Sequence, residues 1–315
     1  MRTLSAALLA LALCAPTSTA LAAGFQRVTV PDSENKPREV GIWYPSDAAA
    51  VPQPLGPYMQ TVAIDGAVAG SQLPLVVILH GVGGSLANHH DTALALADAG
   101  FVVAAVTQGD DIALVERPRH VVRVIDYMLT KWPDRARLDP ARIGLFGFSV
   151  GGFTALVTIG GVPDFTRIPS YCAQYPDRVC ATLKERNVDT SVPASAWVHD
   201  ARVKAAVVAA PTLAFTLGPQ GLTAITAPIL LWRASADEIT PHPRASEAVY
   251  NALPTRPDYV VVPNAGHFAF VACSAEMTKR APAVCQDAPG FDRQAFHREF
   301  NSAVVAFFKA RLPRP

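Results

Sequence analysis

Charge is scarce in this 315-residue chain: Asp, Glu, Lys and Arg make up 17% of it, the formal net charge is +1, and no run of Lys or Arg exceeds two residues. Nothing in that pattern matches the basic footprint needed to hold nucleic-acid phosphates or an anionic lipid surface. The chain also lacks internal repeats, coiled-coil heptads and a low-complexity tail, so an array, a fibre or a disordered tether is excluded. Half of its residues are hydrophobic, enough for one large domain with a well-buried core. A small neutral or mixed-charge partner fits such a chain better than a polymer does.

Long apolar runs are missing too. The most apolar stretch is the N-terminal M-R-T-L-S-A-A-L-L-A-L-A-L-C-A-P-T-S-T-A-L-A-A, which has one positive charge, is too short to span a bilayer and ends in small residues. It reads as a secretory signal over residues 1–22, with cleavage after Ala22 set by the pair Ala20 and Ala22. No transmembrane anchor remains once it is removed, and the product is exported, periplasmic or secreted. Leu13 before Cys14 argues against lipidation at that cysteine.

Removal of the signal leaves four cysteines in an oxidising compartment, so two disulfides are expected. Four cysteines allow three pairings. Cys172 with Cys180 and Cys273 with Cys285 are favoured, because each closes a short polar, proline-containing loop; free buried thiols are the plainer alternative. Neither pair has the spacing of a zinc knuckle, so no metal is expected.

The elements alternate along the chain. F-Q-R-V-T-V and R-E-V-G-I-W-Y-P alternate apolar and polar residues around D-S-E-N-K-P, the pattern of an antiparallel hairpin. Residues 46–72, rich in Pro, Ala, Gly and Gln, read as loop, with Y-M-Q-T allowing a short helix. From Leu75 onwards V-V-I-L, F-V-V-A-A-V, I-G-L-F, A-A-V-V-A-A, I-L-L-W and Y-V-V-V are short continuous apolar runs, as in strands buried on both faces. Segments with one apolar helical face separate them, and F-H-R-E-F-N-S-A-V-V-A-F-F-K-A-R-L closes the chain as an amphipathic helix. The fold class is therefore α/β: a mostly parallel sheet wrapped by helices, forming a single domain over 23–315. Residues 161–202, with four prolines and no periodicity, break the rhythm as a cap-like insertion near the ends of the strands.

Four strand ends carry chemistry. In G-F-S-V-G, residues 147–151, glycines on both sides of Ser149 suit a strained strand-to-helix turn that lifts a nucleophilic hydroxyl into a cleft; the plainer reading is a turn whose serine caps the helix. In H-G-V-G-G, residues 80–84, a strand runs into glycines, which suits an oxyanion loop of His80, Gly81, Gly83 and Gly84. The amides of Val82 and Val150 are then the oxyanion donors, and His80 is a loop organiser. Asp237 follows the strand I-L-L-W and is favoured over its neighbour Glu238 as the acid that orients a base. His267, in N-A-G-H-F after the last strand, is the candidate base. The other histidines, His89, His90, His120, His199, His242 and His297, sit in helical, inserted or proline-rich segments where a solvated or packing role is the default.

On G-I-W-Y-P (41–45), H-G-V-G-G (80–84), G-F-S-V-G (147–151), A-D-E-I-T-P (236–241) and G-H-F (266–268), the chain resembles the alpha/beta-hydrolases. Within them it resembles the dienelactone hydrolase-like and platelet-activating factor acetylhydrolase-like serine esterases. The resemblance implies a carboxylic-ester hydrolase that acts on a small-molecule ester and needs no metal or organic cofactor. Dienelactone hydrolases themselves use cysteine as nucleophile, where this chain has Ser149, so the resemblance implies other esters. The rival readings are an exported peptidase or amidase of the same fold, and a non-catalytic envelope protein that keeps the scaffold. Oligomeric state is not legible in the sequence.

Overall fold

The computed structural model of the chain describes residues 22–31, 37–108 and 114–314. The signal segment lies outside them, except for Ala22, which opens the first strand. Among the described residues ten strands form one sheet: β1 (Ala22–Val30), β2 (Arg38–Ser46), β3 (Val51–Leu55), β4 (Tyr58–Ile64), β5 (Leu73–Leu79), β6 (Val102–Val106), β7 (Leu138–Phe148), β8 (Val203–Ala209), β9 (Ile229–Ala234) and β10 (Asp258–Val262). Their order across the sheet is β10-β9-β8-β7-β5-β6-β2-β1-β4-β3. Pairing is parallel from β6 to β10. β2 lies antiparallel to both β6 and β1, which makes the N-terminal hairpin.

The apolar runs explain this arrangement. All seven residues of β5 are buried, because helices cover both faces of a parallel sheet. The helices are α1 (His90–Asp98), α2 (Glu116–Thr130), α3 (Val150–Thr158), α4 (Ile168–Gln174), α5 (Arg178–Glu185), α6 (Ala214–Leu222), α7 (Ser246–Ala252), α8 (Ala275–Arg280) and α9 (Arg293–Arg311). Alternate residues of β5 serve the two layers. Leu75, Val77 and Leu79 pack with α2, α3, α6 and α7, while Val76 and Ile78 pack with α1 and α9. Among the described residues no helix is long and apolar enough to cross a membrane.

Within residues 46–72, read as loop from the sequence, 51–55 and 58–64 are strand, and Y-M-Q-T lies in a strand rather than a helix. β3 and β4 form an antiparallel hairpin that extends the sheet through a parallel pairing of β4 with β1. β4 alternates buried Tyr58, Gln60 and Val62 with exposed Met59 and Thr61, a period of two that the Pro and Gln content masked. Pro52 and Pro54 fit because β3 is the edge strand, where a missing N–H breaks no ladder. The polar Gln60 is buried because its Oε1 accepts from Trp43 Nε1 at 2.8 Å. The 161–202 stretch is an insertion between α3 and β8, built from α4, α5 and two short 3-10 turns. Disulfides join Cys172 to Cys180, tying α4 to α5, and Cys273 to Cys285.

α9 shares the cover of one sheet face with α1. Its fully buried Phe300 meets the rings of Phe146, Trp232 and Phe270 at centroid distances of 5.9, 4.9 and 5.5 Å. Truncation there leaves a cavity among rings that cannot collapse into it. Phe300→Ala is expected to cost about 3–5 kcal/mol in a urea melt of the folded protein; a loss under about 1 kcal/mol would show that α9 contributes little to the core.

Candidate active site

At the end of β7 the chain turns sharply through Ser149, whose φ of 56° and ψ of −119° lie in a region that residues with a side chain rarely adopt. Backbone bonds fix the turn. Ser149 N donates to Ala209 O of β8 at 2.9 Å, and Ser149 O accepts from Phe153 N and Thr212 N at 3.1 and 3.2 Å. The flanking glycines are there for space: a Cβ on Gly147 would stand 2.2 Å from Gly151 O, and one on Gly151 would stand 2.0 Å from Leu79 O. Helix α3 thus begins directly beneath the ends of β5 and β7. Gly152 is tight as well, with Pro211 Cα 3.2 Å from where its Cβ would be.

The loop after β5 folds against this turn. A Cβ on Gly81 would lie 3.2 Å from the Phe148 ring and 3.3 Å from Ser149 Cβ, and Gly83 takes a φ of +69°. His80 is buried inside the loop. Its Nε2 accepts the Gln108 N–H at 3.0 Å, so Nδ1 carries the proton and donates to Gly81 O at 2.6 Å. Burial, and then the nearby Arg117 charge, push the imidazole down to about 3, so it serves as a neutral brace. Arg117 Nη2 donates to His80 O at 2.7 Å and its Nε to Thr154 Oγ1 at 3.3 Å, while Thr154 Oγ1 donates to Val150 O at 2.7 Å. One buried guanidinium therefore ties the loop to the first turn of α3. Sequence reasoning missed Arg117, although it precedes Val121 by four residues on the buried face of α2, together with Ile125 and Met128.

Three residues beyond β9, Asp237 is buried, with acceptors fully engaged: Oδ1 takes Ile239 N at 2.9 Å and Thr240 N at 2.7 Å, and Oδ2 takes Thr240 Oγ1 at 2.7 Å. The same Oδ2 accepts from His267 Nδ1 at 2.8 Å. That bond fixes the tautomer of His267, leaving the Nε2 lone pair to face Ser149 Oγ at 3.0 Å. Glu238 is exposed to solvent. His267 opens the 3-10 turn His267–Phe270 and packs against the rings of Phe148 and Phe268 at 4.9 and 5.2 Å.

The structure thus brings Ser149, Asp237 and His267 into one hydrogen-bonded line, with Val82 and Val150 beside it. Val150 is the first residue of α3, where an N–H has no partner inside the helix. A cavity of about 300 Å³ opens above Ser149, walled in its described part by Val82, Leu114, Val179, Leu183, Leu213 and Phe268. Val179 and Leu183 come from α5, so the insertion forms a wall. A larger cavity, about 500 Å³, lies at the opposite, amino end of β5 and β6 near Arg142 and Leu312, away from this line. Of the remaining histidines, His89, His90, His120 and His297 are buried rather than solvated.

No protein-family model matches the sequence, and no curated protein matches it. Among solved structures 771 chains match, a breadth typical of folds that host many activities. One of them is a ferulic acid esterase from Streptomyces cinnamoneus, similar at a TM-score of 0.64 over 96% of this chain and 96% of that one, with 21% sequence identity. The chain has the alpha/beta-hydrolase fold. In that fold's terms Ser149 stands at the sharp turn after β7, Asp237 follows β9, and His267 follows β10.

Buried neutral histidines make this fold acid-sensitive. His80 at about 3, His89 at about 4 and His90, also lowered by burial, all refuse a proton that the unfolded chain accepts near 6.5. Their stabilising contribution is therefore full above pH 6.5 and is lost as pH falls towards 4. Asp91, held below the usual carboxylate range, is silent in this window, and Asp98, raised by burial, opposes as a single group. Urea midpoints are expected to drop steadily between pH 6.5 and 4.5, by up to about 1.4 kcal/mol per pH unit for each fully refused proton. A flat or rising profile would contradict these assignments.

Proposed function

We propose that this chain is an exported serine-dependent carboxylic-ester hydrolase. The observation that carries the reading is the line from Ser149 Oγ to His267 Nε2 at 3.0 Å and from His267 Nδ1 to Asp237 Oδ2 at 2.8 Å. A serine hydroxyl is a weak nucleophile until a base takes its proton, and here the base is oriented by a buried carboxylate.

In this reading Ser149 Oγ attacks the ester carbonyl as His267 Nε2 takes its proton. The charge that develops on the carbonyl oxygen meets the N–H groups of Val82 and Val150, with the start of α3 adding its positive dipole end. Collapse of the tetrahedral species expels the alcohol, which takes the proton from His267 and leaves an acyl-Ser149 ester. Water, deprotonated by His267, then frees the acid and restores Ser149. Asp237 keeps the imidazole in its working tautomer and balances the imidazolium. The cavity under α5, walled by Leu114, Leu183 and Leu213 but also by Arg178, Glu185 and Arg186, suits an ester that carries an apolar group beside a polar one. The neighbour named as a ferulic acid esterase supports ester chemistry as the activity. The motifs at 80–84 and 147–151 favour the dienelactone hydrolase-like and platelet-activating factor acetylhydrolase-like branch, acting on esters suited to a serine nucleophile. The two disulfides support export, with the signal cut after Ala22 and one catalytic domain following.

The tests are direct. The mature protein is expected to hydrolyse p-nitrophenyl esters and to leave aminoacyl p-nitroanilides intact, and a fluorophosphonate probe should label Ser149 alone. Ser149→Ala is expected to remove at least about 10⁴-fold of kcat and Asp237→Asn about 10³–10⁴-fold, with KM little changed. Labelling that persists in Ser149→Ala, or faster anilide than ester turnover, would overturn the reading. N-terminal sequencing of the exported protein should begin at Ala23.

A further inference from the structure

Behind His267 lies a buried polar cluster that the chemistry above does not use. Arg293, His297 and Asn301 are spaced four apart on α9 and so form one stripe. His297 Nδ1 lies 2.6 Å from Asp91 Oδ2, and its Nε2 lies 2.8 Å from Ala269 O. Asp91 Oδ2 also accepts from Asn301 Nδ2 at 2.8 Å, and Asn301 Oδ1 accepts from Thr92 Oγ1 at 2.6 Å. Neither partner of the His297 ring offers it a proton, so both ring nitrogens donate and the ring is an imidazolium. Burial works to raise Asp91, but the hydrogen bond and charge of His297 outweigh it and hold the carboxyl low. Arg293 Nη1 donates to Phe268 O and to Val271 O, both at 2.8 Å, and pairs with Asp287.

These contacts converge on one short segment. Phe268, Ala269 and Val271 belong to, or directly follow, the 3-10 turn that begins at His267, and all three carbonyls are held by cations from α9. A turn of four residues has little hydrogen bonding of its own. The position of His267 against Ser149 is therefore set from behind, and a shift near 1 Å at a reacting group costs about 10²-fold in rate. We propose that the partly buried Asp91–His297 ion pair, joining α1 to α9, is a positioning device that holds the His267 turn in register with Ser149. His297 is a positioning residue in this role, since it touches neither Ser149 nor the cavity above it.

The charged and titratable groups around the pair are His89 and His90 at the start of α1, Tyr58 of β4, and Arg293. Of these, only Arg293 shares the turn with His297. Each single variant removes one charge and strands the other, so the near-isosteric Asn and Gln are used to keep volume and polarity. The double variant, which removes both charges, separates stranding from loss of the pair. This inference rests on the reading of His267 as general base, and its test keeps the two separable.

Asp91→Asn, His297→Gln and the double variant are compared with the wild type in p-nitrophenyl ester turnover. Each single variant is expected to lose about 10–100-fold in kcat with KM within about threefold, the range seen when a group that orients a functional side chain is removed. The double variant should be no slower than the slower single, because both changes break one unit. A second readout needs no substrate: the downfield proton resonance of His267 Nδ1–H, assigned by its loss in His267→Ala, should shift or broaden in both single variants. Folded variants with unchanged kcat and an unmoved resonance would overturn the proposal, as would multiplicative losses in the double variant. If the charge variants do not fold, Asn301→Ala, which loosens Asp91 without removing a charge, must lower kcat several-fold and move the resonance. If the wild type turns over no ester, the ester reading falls, and the resonance alone decides the positioning claim.

Discussion

The turn at Ser149 is the constraint on which the rest of this molecule depends. It holds a residue with a side chain at a φ of 56°, a conformation costing of order 1–3 kcal/mol, and it does so by packing backbone against backbone. No β-carbon fits at Gly147 or Gly151, where the nearest atoms are carbonyl oxygens of α3 and β5. The parallel pairing of β7 with β5 and β8 fixes where that turn emerges. The loop at His80 must then lie flat across it, since Gly81 passes within contact of Phe148 and Ser149.

The loop at His80 and the turn that carries His267 are each supported from behind by a buried cation. Arg117 joins the carbonyl of His80 to Thr154, whose hydroxyl donates to Val150 O in the first turn of α3, so the loop and the helix carrying the two candidate oxyanion amides are tied to each other. On the other side, Arg293 and His297 of α9 hold the turn that carries His267. Asp237 needs no such brace, because its own Asx-type turn satisfies it with Ile239 N, Thr240 N and Thr240 Oγ1. Ser149 and His267 thus approach each other from different elements. The wall of the cavity above Ser149 comes partly from α5, itself tied to α4 by Cys172–Cys180.

What could be read from the sequence was local. β5 to β10 announced themselves as unbroken apolar runs, and Ser149, Asp237 and His267 each follow such a run within a few residues, beside glycine or proline. The β3–β4 hairpin went unread because proline and glutamine signal loop, and only the edge position of β3 and the Trp43–Gln60 bond make them acceptable in strands. Arg117 drew no attention in the sequence, and His297 read as a solvated or packing residue. Their roles rest on contacts to His80, 37 residues away, and to Asp91, 206 residues away. No local pattern encodes such pairs, since a buried charge differs from an exposed one only in what the rest of the chain brings to it.

The central claim is that Ser149 carries the acyl group between two half-reactions. It is tested most directly by mixing the mature protein with a slowly deacylating p-nitrophenyl ester, quenching in acid within the burst, and weighing the intact chain and its peptides. The account predicts a mass increase equal to the acyl group on the peptide containing Ser149, with its amplitude matching the p-nitrophenol burst. Full turnover with no acylated species at any quench time, or an acyl group on another side chain, would contradict it.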